Sequence, residues 1–218
     1  MGMKSYLIFK CLGLVLISSM LMNCQQNPVG DLSPEDSQVF ITNQDRSAVF
    51  STYRTFSLPD SVVVYQNNAQ QTSRSLIESR FIDRISTSLT SRGYQRVDST
   101  SNPDLGIAVI RANDSYIGAT SIPYDPYYLN YWGGFGGGLG GFGYGYSPFF
   151  PNYYSFYEVQ DRYWIIQMVD LKNRNNTNKQ LNVIWTAQIR GNGIFDDASV
   201  DRIVDAVFSQ SDYLQTNQ

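Results

Sequence analysis

The sequence predicts an α+β fold: a largely antiparallel sheet with two helices packed on one face and a long Gly/Tyr-rich loop inserted between strands. Three observations carry this. Two stretches place apolar residues at helical spacing. Several short runs are rich in β-branched and aromatic residues. Their order is strands, helix, strands, hairpin, helix, without the regular strand–helix alternation of a parallel sheet.

Val49 to Leu58 carries Phe50, Tyr53, Thr55 and Phe56 and reads as a strand, stopped by Pro59-Asp60. Val62 to Tyr65 reads as a second strand, and Gln66 to Thr72 as a polar loop. Ser75-Leu76-Ile77-Glu78 then has the form of a capping box, which satisfies two of the backbone N–H groups left open where a helix begins. Ile77, Phe81, Ile85 and Leu89 recur every fourth residue and form one apolar stripe, with Asp83 on the opposite face. Gly93 stands where a helix end favours a left-handed residue.

Tyr94 to Val97 reads as a short strand, Asn102-Pro103-Asp104 as a turn, and the apolar run Leu105 to Ile110 as a buried strand. Tyr163 to Leu171 alternates Tyr163, Ile165, Gln167 and Val169 with Trp164, Ile166, Met168 and Asp170. Leu181 to Arg190 carries Val183, Trp185, Ala187 and Ile189 on one face, and the two segments read as a hairpin around the polar turn Asn173 to Gln180. Val200, Ile203, Val204, Val207 and Phe208 have helical spacing, with Asp197 as the expected N-cap and Asp201 suited to the helix dipole.

Tyr116 to Tyr157 stands apart as an insertion. It holds ten of the sixteen tyrosines and ten of the seventeen glycines, and Asp125 is its only charge. Its glycines do not form a phosphate cradle, because no Lys-Ser or Lys-Thr pair and no helix follows them. Two readings remain open. The aromatic residues, with Tyr127, Tyr128, Tyr131, Trp132, Tyr144 and Tyr146 as the candidate contacts, form a surface for an envelope protein, headgroups or a glycan. Alternatively they pack on the domain or on themselves.

The first 23 residues read as a lipoprotein signal peptide. Lys4 and Lys10 supply positive charge, and Cys11 to Met22 is an apolar run shorter than the ~20 residues of a spanning helix. The run ends in Leu21-Met22-Asn23-Cys24, which resembles a bacterial lipobox, so Cys24 is the expected lipidation site. Residues 24–47 read as the lipidated cysteine and a flexible tether, and 48–214 as a single domain. Gln25 is not the Asp that often retains lipoproteins in the inner membrane, and no acidic run follows Cys24. The expected place is therefore the outer membrane, lipid-anchored and facing the periplasm rather than displayed at the cell surface.

Composition closes several chemistries. The chain has no histidine, which removes the usual nucleophile–histidine pairs and zinc ligands, so neither metal nor cofactor is expected. The net charge of −3 falls to about −5 once Lys4 and Lys10 are removed, against the clustered cations that nucleic-acid binding needs. Carboxylates remain: Asp196-Asp197, Glu158 with Asp161, and Asp170. They fit helix caps and turns better than a pair set across a cleft.

Four stretches together resemble the bacterial lipoprotein family called domain of unknown function 4136. They are Phe50 to Phe56 "FSTYRTF", "LTSRGY" followed by "NPDLGIAV", "WIIQMVD" with "VIWTAQIRG", and "IVDAVFSQSDYL", spread between Ala48 and Leu214. The resemblance implies a lipid-anchored domain and no known reaction. The expectation is a non-catalytic envelope protein, not an enzyme, that binds or scaffolds an unidentified component. A carboxylate-dependent envelope hydrolase is the alternative.

Overall fold

The computed structural model describes residues 33–66, 69–116, 143–144, 159–175 and 180–216. The chain divides into two compact units, 1–36 and 37–218. In the first, the Ser33 hydroxyl donates to the Asp36 carboxylate. All that follows concerns the second.

Its described residues form nine strands and two α-helices. The strands are β1 (Val39–Gln44), β2 (Thr55–Ser57), β3 (Val62–Gln66), β4 (Ala69–Ser73), β5 (Gln95–Arg96), β6 (Leu105–Tyr116), β7 (Gly143–Tyr144), β8 (Val159–Asn175) and β9 (Gln180–Arg190). The helices are α1 (Leu76–Ser91) and α2 (Val200–Ser209). The backbone order is β1-β9-β8-β6, antiparallel throughout. The other edge of β6 is shared. β2 pairs parallel with Leu105 and Gly106, and β3 pairs parallel with Ile110, Arg111 and Ala112. Pro59 lies between β2 and β3, where a residue without an N–H cannot continue the ladder. β5 joins β2 in parallel, β4 joins β3 in a hairpin, and β7 runs parallel beside β9. The sheet is thus mixed but mostly antiparallel, as expected.

The α1 stripe is core. Phe81, Ile85 and Leu89 are buried, Ile77 is half-buried, and Asp83 is exposed. The capping box is present, with the Glu78 side chain accepting from the Ser75 backbone and hydroxyl. Gly93 has a φ of +93°. Phe81 stacks on Trp164 at 4.3 Å between ring centres, nearly parallel at 11°. The Trp164 indole donates to the Ile194 carbonyl, and that of Trp185 to the Ser211 hydroxyl. Arg80 pairs with Asp197 and Asp201, and Arg84 pairs with Asp205, so the two helices run side by side in the same direction. Arg80 holds the Asp201 carboxyl below its ordinary range.

Several expectations need correction. Val49 to Leu58 is not one strand. Phe50–Thr52 is a 3-10 turn and only Thr55–Ser57 pairs, because its parallel partners β5 and β6 are engaged for only two residues each. The expected loop Gln66 to Thr72 contains most of β4, whose polar residues suit an edge strand. The expected tether 24–47 contains β1, which pairs with Trp185 to Arg190. Asp197 is not an α-helical N-cap; it opens a 3-10 turn, and its carboxylate is taken by Arg80. Val183 does not share a face with Trp185. The register shifts at Met168/Val169, leaving Ile184 as an extra residue, and Val183 packs on the opposite side. The strands of the central hairpin also run longer than their apolar cores suggest.

Two substitutions test this packing. Phe81→Ala should cost roughly 3–5 kcal/mol in a denaturant melt by opening a cavity beside Trp164, while Asp83→Ala stays within about 0.5 kcal/mol. Gly191 has a φ of +120°, and a Cβ there would meet the Ser37 carbonyl at 2.5 Å. Gly191→Ala should therefore destabilise by about 1 kcal/mol or more, read in the same melt.

Candidate functional site

The residues proposed from sequence for contact are placed only in small part. Cys24, Tyr127, Tyr128, Tyr131, Trp132 and Tyr146 lie outside the described residues. Tyr144 lies in β7, where its backbone is in register with Leu181, and Gly143 is in register with Gln180. Among the carboxylates, Glu158 lies outside the described residues, as does the side chain of Asp161.

Asp170 is buried in β8, opposite Leu105 at the start of β6, and three donors use it. The Tyr53 hydroxyl donates to Oδ2 at 2.8 Å, the Asn173 backbone N–H to Oδ1 at 2.8 Å, and the Asn173 amide to Oδ2 at 2.9 Å. The turn expected from sequence at Asp170 is not formed, because β8 continues to Asn175; the Asn173 bonds are local contacts within that strand, and the tyrosine bond reaches across 117 positions. Burial first, and then the adjacent carboxylate, holds the Tyr53 hydroxyl well above the ordinary phenol range. Asp104 forms a second clamp. Its carboxylate accepts from the backbone of Arg54 and Thr55, and its own N–H donates to the Thr55 hydroxyl. Lys172 donates to the Thr52 carbonyl at 2.7 Å and stands 4.0 Å from Asp104. These groups tie the 3-10 turn and β2 to the ends of β6 and β8. Both carboxylates accept from backbone or phenol donors and so join elements distant in sequence.

A buried ion pair, missed in the sequence, lies on the helix face. Glu78 is fully buried and receives Arg111 at 2.8 Å, in addition to Ser75. The Arg111 guanidinium lies over Phe195 at 5.4 Å and Trp164 at 5.9 Å, and Arg162 lies over Phe195 at 4.7 Å. The available signal was a lone cation after the apolar run of β6, in a chain whose capping box supplies a glutamate. A buried pair of this kind sets position more than it adds stability, since desolvation opposes the Coulomb gain.

An open hollow of about 730 Å³ lies between the β2–β3 connection and the segment after β5, lined by Leu58, Asp60, Arg96 and Asp98 among others. Its cation is already engaged: Arg96 donates to the Leu58 carbonyl and to Asp60. Among the described residues no group of three or more acids or cysteines is set to hold a metal ion.

The comparisons with known proteins bear on family and fold. No curated protein matches the chain. Among solved structures it is similar to a DUF4136 family protein from Bacteroides thetaiotaomicron VPI-5482, with 25% identity and a TM-score of 0.63. That match covers 84% of this chain and 100% of the other. The PelC dodecamer from Paraburkholderia phytofirmans matches at 11% identity and a TM-score of 0.40, covering 83% of this chain and 99% of that one. The family model of the domain of unknown function DUF4136 matches residues 41–211, nearly the whole of the sheet and both helices, and the chain belongs to that family.

Proposed function

We propose that this protein is a lipid-anchored, non-catalytic module of the bacterial cell envelope, held at the periplasmic face of the outer membrane, where it binds or scaffolds another envelope component. The observation that carries the reading is the N-terminal sequence: Lys4 and Lys10, the apolar run to Met22, and Leu21-Met22-Asn23-Cys24. Several acyl chains on one cysteine anchor a protein stably, whereas one chain binds only marginally. Among the described residues no helix is long and apolar enough to cross a membrane.

The state of the carboxylates supports a role without chemistry. Asp170, Asp104 and Glu78 each complete a fastening between elements distant in sequence. A protein component or a glycan of the envelope is the fitting partner for a segment rich in tyrosine and nearly free of charge.

Two measurements test this. Wild type should partition into the detergent phase and incorporate labelled palmitate, and Cys24→Ser should do neither; equal partitioning of both would remove the anchor. Asp170→Asn should lower stability by about 1–3 kcal/mol by disturbing a buried hydrogen-bond acceptor. A full-stability Asp170→Asn variant would leave that carboxylate free for chemistry and reopen the hydrolase alternative.

A further inference from the structure

The sheet ends on β1, and that edge is unguarded. β1 is the terminal strand of the order β1-β9-β8-β6, and among the described residues only β9 pairs with it. Asp45 donates its backbone N–H to the Ile184 carbonyl, at the position that continues the β1–β9 register. Bonded and non-bonded positions alternate along an antiparallel ladder. Val39, Ile41 and Asn43 therefore bond to β9, and the N–H and C=O groups of Phe40, Thr42 and Gln44 point outward. From Ser37 to Gln44 the chain has no charge and no proline. Folded proteins blunt free edges with lysine or proline, with bulges, or by keeping the strand very short. At the other edges β4 is polar and β5 is two residues long, whereas β1 pairs without a bulge over six residues.

The side chains of β1 show what fits there. Phe40 is half-buried against the helix-side core, and by alternation Val39 and Ile41 lie on the opposite face, 52% and 43% exposed. Two antiparallel copies of the strand can pair about a twofold axis in few registers. With the axis at Phe40, the two Phe40 side chains face each other on the helix side. On the other side Val39 of each copy faces Ile41 of its mate. Phe40 with Phe40, and Gln38 with Thr42, then exchange the outward backbone bonds. The Val39–Ile41 pairs fall at non-bonded positions, where Cα atoms approach to ~4.5 Å and side chains meet most closely. With the axis at Ile41, Val39 faces Asn43 and Phe40 faces Thr42. With the axis at Thr42, Ile41 faces Asn43. Of these three, the Phe40 register alone sets apolar against apolar on both faces.

We propose that β1 is a self-association edge: two copies of this chain join β1 to β1, antiparallel about an axis at Phe40, and their sheets become one. A second copy is the fitting occupant because the strand is its own complement in that register, with bonding groups, ring and aliphatic side chains all matched. The interface is isologous, so it closes at two copies and leaves no further edge of this kind open. A joint of one short strand is smaller than a permanent interface, so it forms reversibly. Copies that share a membrane surface meet at a raised effective concentration, which favours it. The pairing goes beyond the proposed anchoring and does not require it.

The test uses the full chain in mild detergent. Val39→Cys and Ile41→Cys, carried on differently tagged chains, are mixed and oxidised, and the linked peptides are identified by mass spectrometry. A disulfide joining position 39 of one copy to position 41 of the other is expected. Either variant alone should link to itself at least about tenfold less, because a disulfide needs Cα atoms within about 7 Å. Like positions stand on the diagonal of this register, ~8 Å apart. Absence of the mixed disulfide overturns the proposal. So does Thr42→Cys linking to itself in its place, which would move the axis, and so does linkage of positions 39 and 41 to a different protein. In sedimentation wild type should show a monomer–dimer equilibrium, and Ile41→Lys a monomer with an unchanged melting temperature. A dimer that Ile41→Lys leaves intact forms elsewhere and overturns the assignment; should Ile41→Lys fail to fold, the disulfide measurement still decides. The linked peptides are read at positions 39 and 41 alone, so the state of Cys24 does not enter, and loss of the anchor and loss of this pairing are told apart.

Discussion

The antiparallel pairing of β6 with β8 is the constraint on which the rest of the molecule depends. It runs unbroken from Leu105 with Asp170 to Tyr116 with Val159. Through its middle, successive side chains on both strands are buried, alternately toward one face and the other. A strand pair apolar on both sides must be covered twice, since each buried Val, Ile or Leu contributes roughly 1.5–3 kcal/mol that is lost in water. Every other element is placed by that demand. α1 and α2 cover one face; β2 with β3, and β9, satisfy the outer backbone edges. The polar clamps of Asp104 and Asp170 sit at the end where the pair would otherwise fray.

The direction of the helices imposes a second cost and explains a pattern of charge. Parallel neighbours bring like ends of their dipoles together, which is unfavourable unless charge offsets it. At the shared N-terminal end stand three acidic residues, Glu78, Asp197 and Asp201. At the other end Arg92 donates to the carbonyls of Phe208, in the last turn of α2, and Ser211, just beyond it, placing a cation at that end. Arg80 and Arg84 then bridge the helices along their length. These pairs are largely exposed, so they set the alignment of two already amphipathic helices rather than supply much stability.

What could be read from sequence follows from how local each determinant is. α1 was legible because its cap, stripe and terminal glycine lie within a few residues of one another. The cores of β6 and β8 were legible as apolar runs, but Arg111 to Tyr116 was not, because polar residues in a strand are licensed by the partner strand. β1 carries the β-branched and aromatic run Val39 to Thr42, yet its proximity to the lipobox drew it into the tether. β4 has almost no apolar content and exists because the hairpin brings it against β3. The bulge at Ile184 reversed the face of Val183, a change of period that alternation cannot reveal. Among the site residues, the bond of Asp170 to Tyr53 and the Glu78–Arg111 pair were not legible, being made by the fold; nor was the continuation of β8 past Asp170, where the polar run suggests a turn.

The same division bears on function. Chemistry needs ionisable groups left partly unsatisfied in a cleft, since a catalytic group must exchange protons or bonds with something outside the protein. In this domain Asp170 accepts from Tyr53 and Asn173, and the cation of the hollow beside β2 is held by a carbonyl and an aspartate. What the chain holds in excess is aromatic side chains, concentrated in the insertion between the two strands that organise the fold.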